Sequence, residues 1–114
     1  MKADLHNHSY YSDGVLMPSE VVRLASKAGC DLFALTDHDT TDGIAEAKFE
    51  ADKVSLNLIN GVEISAFWRN MAIHIVGLGV DVNNDILQNG LEHNKDLRKI
   101  RAEKIALSLR RSGI

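Results

Sequence analysis

Residues 4–14 of this chain read DLHNHSYYSDG, and this stretch carries the most informative pattern in the sequence. Side chains alternate between the two faces of a β-strand, so a strand running from Lys2 through His8 would point His6 and His8 in the same direction. Two imidazoles on one face, followed by Asp13 on a turn-rich loop, are typical metal ligands. A surface histidine pair beside a turn is the alternative for so short a motif. The rest of the chain decides between the two.

Composition places the chain among ordinary globular domains. It has 114 residues, of which 45% are hydrophobic and 25% are charged, enough for one small domain with a core. The formal net charge of −3 provides no basic surface for following a nucleic-acid backbone. The single Cys30 excludes an internal disulfide, and Met1-Lys2 leads into the motif without an apolar signal segment, so a cytoplasmic protein is expected. Residues 71–82 form the best apolar stretch, which is too short to span a bilayer, so no membrane partner is expected.

The spacing of apolar residues predicts an α/β fold in which strands and helices alternate. Pro18 suits the first turn of a helix and Gly29 suits its end, while Thr40 or Asp42 is placed to cap a second helix. Buried strands that alternate with helices favour a parallel sheet. The predicted elements are, in order, a strand over 2–8, a helix over 18–28, a strand over 31–36, a helix over 43–53, hairpin strands over 56–66 and 71–80, a short helix over 85–90 and a long helix over 92–111.

Candidate ligands recur within these strands or at their ends. His38 follows the second strand and lies between Asp37 and Asp39. Glu63 interrupts an apolar strand, where a buried carboxylate is costly unless it is paired or binds a metal. A solvent-facing carboxylate is the alternative for Glu63, and a hydrogen-bonded core histidine is the alternative for His74 in the fourth strand.

The chemistry of these residues favours a hydrolytic metal site. Ligands in open α/β sheets and barrels gather at the carboxyl ends of the strands, so the side chains are expected to meet. Imidazoles and carboxylates without thiolates suit Zn, Mn or Fe. Ligands that come from several elements favour more than one metal. A pair of ions roughly 3.5–4 Å apart clamps the attacking and leaving oxygens in phosphoryl transfer.

Five motifs, in this order and spacing, resemble the polymerase and histidinol phosphatase (PHP) family of metal-dependent phosphoesterases. They are DLHNHS at 4–9, SDG at 12–14, LTDHD at 35–39, GVEIS at 61–65 and HIVGLG at 74–79. The resemblance spans nearly the whole chain. It is strongest to the branch that includes nucleoside 3′,5′-bisphosphate phosphatases and 5′-to-3′ exoribonucleases. It implies the N-terminal part of a distorted (β/α)₇ barrel, as a single partial domain with barrel elements over 1–82 and a helical segment over 84–114.

The resemblance also implies a role for each candidate residue in a site of up to three divalent metal ions. The implied reaction is hydrolysis of a phosphate ester, from a nucleotide or a short nucleic acid, by attack of a metal-bound hydroxide. The roles carried over are first-metal ligands for His6 and His8, a bridge between the first and second metals for Glu63, a second-metal ligand for His74, third-metal ligands for Asp13 and His38, and orientation of His38 or of loop amides for Asp37 and Asp39.

Members of this family are more than twice as long, and their later region supplies a further histidine, an Asp-x-His motif and basic phosphate-binding residues. None of those ligands is present among these 114 residues, so weak metal affinity and little activity are expected of them alone. A non-catalytic metal-binding or self-associating half-barrel is the alternative function. Arg69, Arg98 and Arg101 are the nearest basic candidates, and solvated charge is the expected state of each.

Overall fold

The computed structural model describes all residues from 1 to 114 and forms one four-stranded sheet with three helices. The strands lie in the order β1-β2-β3-β4, with β1, β2 and β3 parallel and the β3–β4 hairpin antiparallel. The predicted α/β architecture is confirmed. The elements are β1 (Ala3–Asp4), α1 (Pro18–Lys27), β2 (Leu32–Leu35), α2 (Ile44–Lys53), β3 (Asn57–Trp68), β4 (Met71–Leu78) and α3 (Asp85–Arg111).

The hydrophobic core lies where the first two helices pack against β2. Each helix presents apolar residues at helical spacing, which gathers them on the face turned toward the sheet. Phe33 is the largest side chain in this core and is fully buried. The core residues are Val22, Phe33, Leu35, Ala47, Ala51 and Leu56.

The first strand is shorter than predicted. It ends at Asp4, so the two histidines of the motif lie on the irregular segment that follows. Hydrogen bonds of Asn7 replace the strand ladder there. Its side-chain amide donates to the carbonyl oxygens of Asp4 at 3.2 Å and Ala34 at 3.1 Å, and its backbone N–H donates to Thr36 Oγ1 at 3.0 Å. The segment therefore leaves regular strand geometry but remains attached to the end of β2.

The second helix begins one residue later than expected and without a side-chain cap. Its N-cap is Gly43, whereas the hydroxyl of Thr40 accepts the N–H of Asp42 at 3.1 Å in the preceding turn. A Cβ at position 43 would lie 2.9 Å from Pro18 Cγ. Close packing between the starts of α1 and α2 therefore favours glycine over a capping residue.

The last helix is continuous, so the expectation of two separate helices is wrong. Asn84 caps its start by accepting the N–H of Leu87 at 2.9 Å. Gly90 lies inside the helix, where glycine costs only about 1 kcal/mol relative to alanine and does not by itself end a helix. Leu91 is buried and fixes the first turns of the helix against the protein. Neither α3 nor the two shorter helices combine the length and apolar character needed to cross a membrane.

Candidate metal centre

Glu63 lies at the centre of the candidate site. It is 4% exposed, so the alternative of a solvent-facing carboxylate does not hold. Its Oε1 contacts His6 Nε2 and lies 3.4 Å from His8 Nε2. Its Oε2 lies 3.1 Å from His38 Nδ1 and 3.5 Å from His74 Nδ1. Four imidazoles therefore converge on a single buried carboxylate.

The main chain fixes His38 beside Glu63. The N–H of Glu63 donates to the carbonyl of Asp37, and the N–H of Asp39 donates to the carbonyl of Glu63, each at 3.0 Å. These two bonds form a parallel bridge between His38 and Glu63 just beyond the end of β2. Gly61 allows the two chains to approach, since a Cβ there would lie 2.8 Å from the carbonyl oxygen of Leu35.

The loop after the first two histidines brings Asp13 to the cluster. Asp13 Oδ2 lies 2.8 Å from His38 Nε2. Gly14 closes this loop tightly, because its N–H donates to the Ser9 carbonyl at 2.9 Å and a Cβ at position 14 would lie only 2.6 Å from the His8 carbonyl oxygen. The Asp-Gly pair of the motif therefore combines a candidate ligand with a residue that has no side chain to obstruct the turn.

Asp37 anchors the same loop by accepting hydrogen bonds from its serines. Its buried carboxylate accepts the N–H of Ser9 at 2.6 Å and the hydroxyls of Ser9 and Ser12 at 2.7 Å each. Ser12 Oγ in turn lies 3.2 Å from His8 Nδ1. The serines of the first motif thus connect the end of β2 to one of the clustered imidazoles.

Asp39 is fully buried and is engaged by β3 and α3. Its carboxylate accepts the N–H and hydroxyl of Ser65 at 2.9 and 2.7 Å, the amide of Asn94 at 2.9 Å and Nε of Arg98 at 2.7 Å. Burial raises the pKa of the Asp39 carboxyl, but these hydrogen bonds outweigh burial and hold its pKa below the ordinary value. Solvated charge was therefore the wrong expectation for Arg98. No sequence signal distinguished it from other charged residues of its helix.

His74 is half-exposed on β4, so the core-histidine alternative does not describe it. It lies across from Ser65 in the hairpin register, while Glu63 is two residues earlier on the same face of β3. The hairpin therefore carries His74 to the edge of the cluster.

The six candidate metal ligands form three overlapping groups, and the residues fit a metal. Within each group the ligand atoms all lie within 4.8 Å of one another. His38 Nδ1 is buried and makes no hydrogen bond of acceptable geometry, although Glu63 Oε2 lies only 3.1 Å away. A bound cation that accepts the lone pair of Nδ1 would satisfy both atoms. Imidazole and carboxylate donors suit Zn, Mn or Fe. The groups are His6, His8 and Glu63; His8, Asp13 and His38; and His38, Glu63 and His74.

An open groove of about 350 Å³ adjoins the cluster at His74, between the β3–β4 hairpin and α3. Its walls are mainly apolar, with a few polar side chains among them. Residues lining it include Phe67, Ile73, Leu97, Arg98 and Ile105.

Histidines and carboxylates gathered around the end of β2 and the facing residues of the β3–β4 hairpin define an α/β protein with a candidate metal centre. The chain belongs to the PHP domain family, whose family model matches residues 4–107. The family recognised from the five motifs is therefore confirmed.

Curated relatives and a solved structure support this assignment. The chain is 47% identical to a 5′-3′ exoribonuclease of Haemophilus influenzae, over 99% of this chain and 41% of the relative. It is 44% identical to a 3′,5′-nucleoside bisphosphate phosphatase of Chromobacterium violaceum, over 97% and 39%. A candidate metal-dependent phosphoesterase from Bifidobacterium adolescentis superposes with a TM-score of 0.90 at 29% identity, over 96% of this chain and 38% of that one. The chain thus spans about two fifths of the length of these relatives, as a partial PHP-family fold.

Proposed function

We propose that this chain forms the N-terminal part of a phosphoesterase that hydrolyses phosphate esters through a multinuclear metal site. The observation that carries the proposal is the convergence of four imidazoles on the two oxygens of buried Glu63. We further propose that residues 1–114 are one partial domain, with barrel elements over 1–82 and a helical segment over 84–114, in a cytoplasmic protein.

The arrangement of Glu63 supports a bridging role. One oxygen faces His6 and His8, and the other faces His38 and His74, so the carboxylate is shared between two of the three ligand groups. Bound Zn, Mn or Fe ions would supply a water nucleophile of lowered pKa and would stabilise the charge of the phosphoryl transition state. His6 and His8 would hold the first ion, His74 the second, and the pair of Asp13 with His38 the third.

The substrate we propose is a nucleotide or a short oligonucleotide. The two curated relatives carry the names of an exoribonuclease and of a nucleoside bisphosphate phosphatase, and both activities cleave phosphate esters of nucleotides. The groove beside His74 supports this choice, because its apolar walls suit the flat face of a base and its volume is at the low end for small-molecule sites.

Metal removal from the full-length protein tests the proposal. The protein as purified is expected to contain divalent metal and to release phosphate from adenosine 3′,5′-bisphosphate or mononucleotides from a short oligoribonucleotide. A chelator should abolish hydrolysis, and Mn, Zn or Fe should restore it. Elemental analysis and product chromatography provide the readouts. Protein that remains metal-free and inactive on both substrates after metal addition contradicts the proposal.

A second candidate function is self-association of the half-barrel. The observation that favours it is β4, an edge strand on which Ile75 and Leu78 are 52% and 44% exposed, since an exposed apolar edge invites pairing. Light scattering of the 114-residue chain should then show a dimer whose population falls when Ile75 is changed to Lys. A monomer at all concentrations argues against this function.

A further inference from the structure

We propose that Asn94 and Arg98 of α3 are positioning residues of the metal centre, acting through Asp39 and Ser65. The inference rests on the metal centre of the proposed function. It extends that function to a helix whose sequence shows no motif.

Asn94 and Arg98 both donate hydrogen bonds to the same two residues, Asp39 and Ser65. Arg98 donates from Nε to Asp39 Oδ2 at 2.7 Å and from Nη2 to Ser65 Oγ at 2.8 Å. Asn94 donates from Nδ2 to Asp39 Oδ1 and to the Ser65 carbonyl, both at 2.9 Å. Residues four apart share one helix face, so a single face of α3 holds both partners.

Asp39 and Ser65 are close in sequence to two candidate metal ligands, His38 and Glu63. Asp39 follows His38 directly, and Ser65 comes two residues after Glu63 on the same face of β3. Asp39 also has a φ of 54°, in the left-handed region that is uncommon for residues other than glycine, although aspartate tolerates it better than most. The hydrogen bonds from α3, together with those from Ser65, hold its side chain in this conformation.

The geometry makes a purely helix-docking role insufficient. The Asp39 N–H donates to the Glu63 carbonyl, so rotation of Asp39 out of its left-handed conformation would break the bridge that sets His38 beside Glu63. Docking of α3 is also provided by the buried side chain of Leu91, one turn before Asn94. The polar contacts therefore act on the ligand pair in addition to holding the helix.

The test compares Arg98→Met with Arg110→Met in the full-length protein. Arg110 lies on the same helix, is exposed and forms no ion pair, which makes it a matched control for loss of charge and shape. Arg98→Met is expected to weaken Co²⁺ or Mn²⁺ binding by roughly 10- to 100-fold, as is typical for residues that orient metal ligands. It should also change the visible absorption spectrum of the Co²⁺ form, whereas Arg110→Met should leave both unchanged.

Further variants keep the inference testable if Arg98→Met does not fold. Arg98→Lys retains the positive charge opposite Asp39 but loses the pair of hydrogen bonds that the guanidinium group donates to Asp39 and Ser65. Its metal affinity is expected to lie between those of the unmodified protein and Arg98→Met. Asn94→Leu should weaken binding in the same direction. Added guanidinium ion should partly restore the Co²⁺ spectrum of Arg98→Ala.

The result that would overturn the positioning role of Arg98 differs from the result that would overturn the proposed function. If the unmodified protein binds metal and the Arg98 variants keep its affinity and spectrum, the positioning role is wrong while the metal centre stands. The same conclusion follows if hydrogen exchange increases in α3 without any change in metal affinity. If the unmodified protein binds no metal, the proposed function itself fails.

Discussion

A Glu63→Gln variant is expected to lose most of the metal that the unmodified protein binds. The substitution preserves side-chain volume but removes the negative charge and one acceptor oxygen from the point where His6, His8, His38 and His74 converge. Because Glu63 belongs to two of the three ligand groups, the loss should exceed the roughly 10- to 100-fold that follows removal of a residue that only orients ligands. Isothermal titration with Mn²⁺ or Zn²⁺ and elemental analysis measure the effect.

Glu50→Gln provides the matched control. Glu50 is also a buried glutamate, but it lies on α2 and pairs with Arg23 at 3.2 Å, outside all three ligand groups. Its metal content should equal that of the unmodified protein. Circular dichroism of both variants shows whether the fold is retained. Equal metal content in folded Glu63→Gln and Glu50→Gln proteins would refute the bridging assignment.

A Phe33→Ala variant is expected to lose about 3–5 kcal/mol of unfolding free energy, the usual cost of deleting a buried phenylalanine side chain. Phe33 is completely buried in the core between β2 and the two helices that pack on it. Small domains have about 5–15 kcal/mol of stability in total, so this variant should be partly unfolded under mild conditions. Urea denaturation followed by circular dichroism gives the difference.

Phe49→Ala serves as the comparison for this measurement. Phe49 is 67% exposed on α2, and the ammonium group of Lys53 lies 4.6 Å from its ring centroid. Exposed cation–π pairs contribute about 0.5–1 kcal/mol, so the loss should be no larger than that. If the two variants were equally stable, the core would not lie where the structure places it.

Much of the fold was predictable because its signals are local. Apolar spacing, the proline at the start of α1 and the short connection between β3 and β4 each act over a few residues. The first strand was predicted too long because the contacts of Asn7 with Ala34 and Thr36 are tertiary and replace the ladder there. The break predicted near Gly90 failed because glycine weakens a helix without necessarily ending it.

Some residues of the candidate site could be predicted from the sequence, and others could not. Its histidines and carboxylates stood out because such groups are costly or unusual in apolar strands, and their motifs identified the family. Asn94 and Arg98 did not stand out, since polar and charged residues are ordinary on an exposed helix. Their importance arises only when the fold brings α3 beside buried Asp39, 55 and 59 residues away in sequence.

The parallel bridge between His38 and Glu63 has a consequence for metal preference. Two main-chain hydrogen bonds keep His38, just beyond β2, and Glu63 of β3 at the spacing of paired strands, about 4.8 Å. Ions of different radius cannot be accommodated by spreading this backbone. Nitrogen and oxygen ligands lie roughly 2.0–2.2 Å from zinc, and other metal ions need slightly different distances. Rotation of the imidazole and carboxylate side chains must provide that difference. Exchange of one transition metal for another should therefore alter side-chain rotamers and leave the strand register intact.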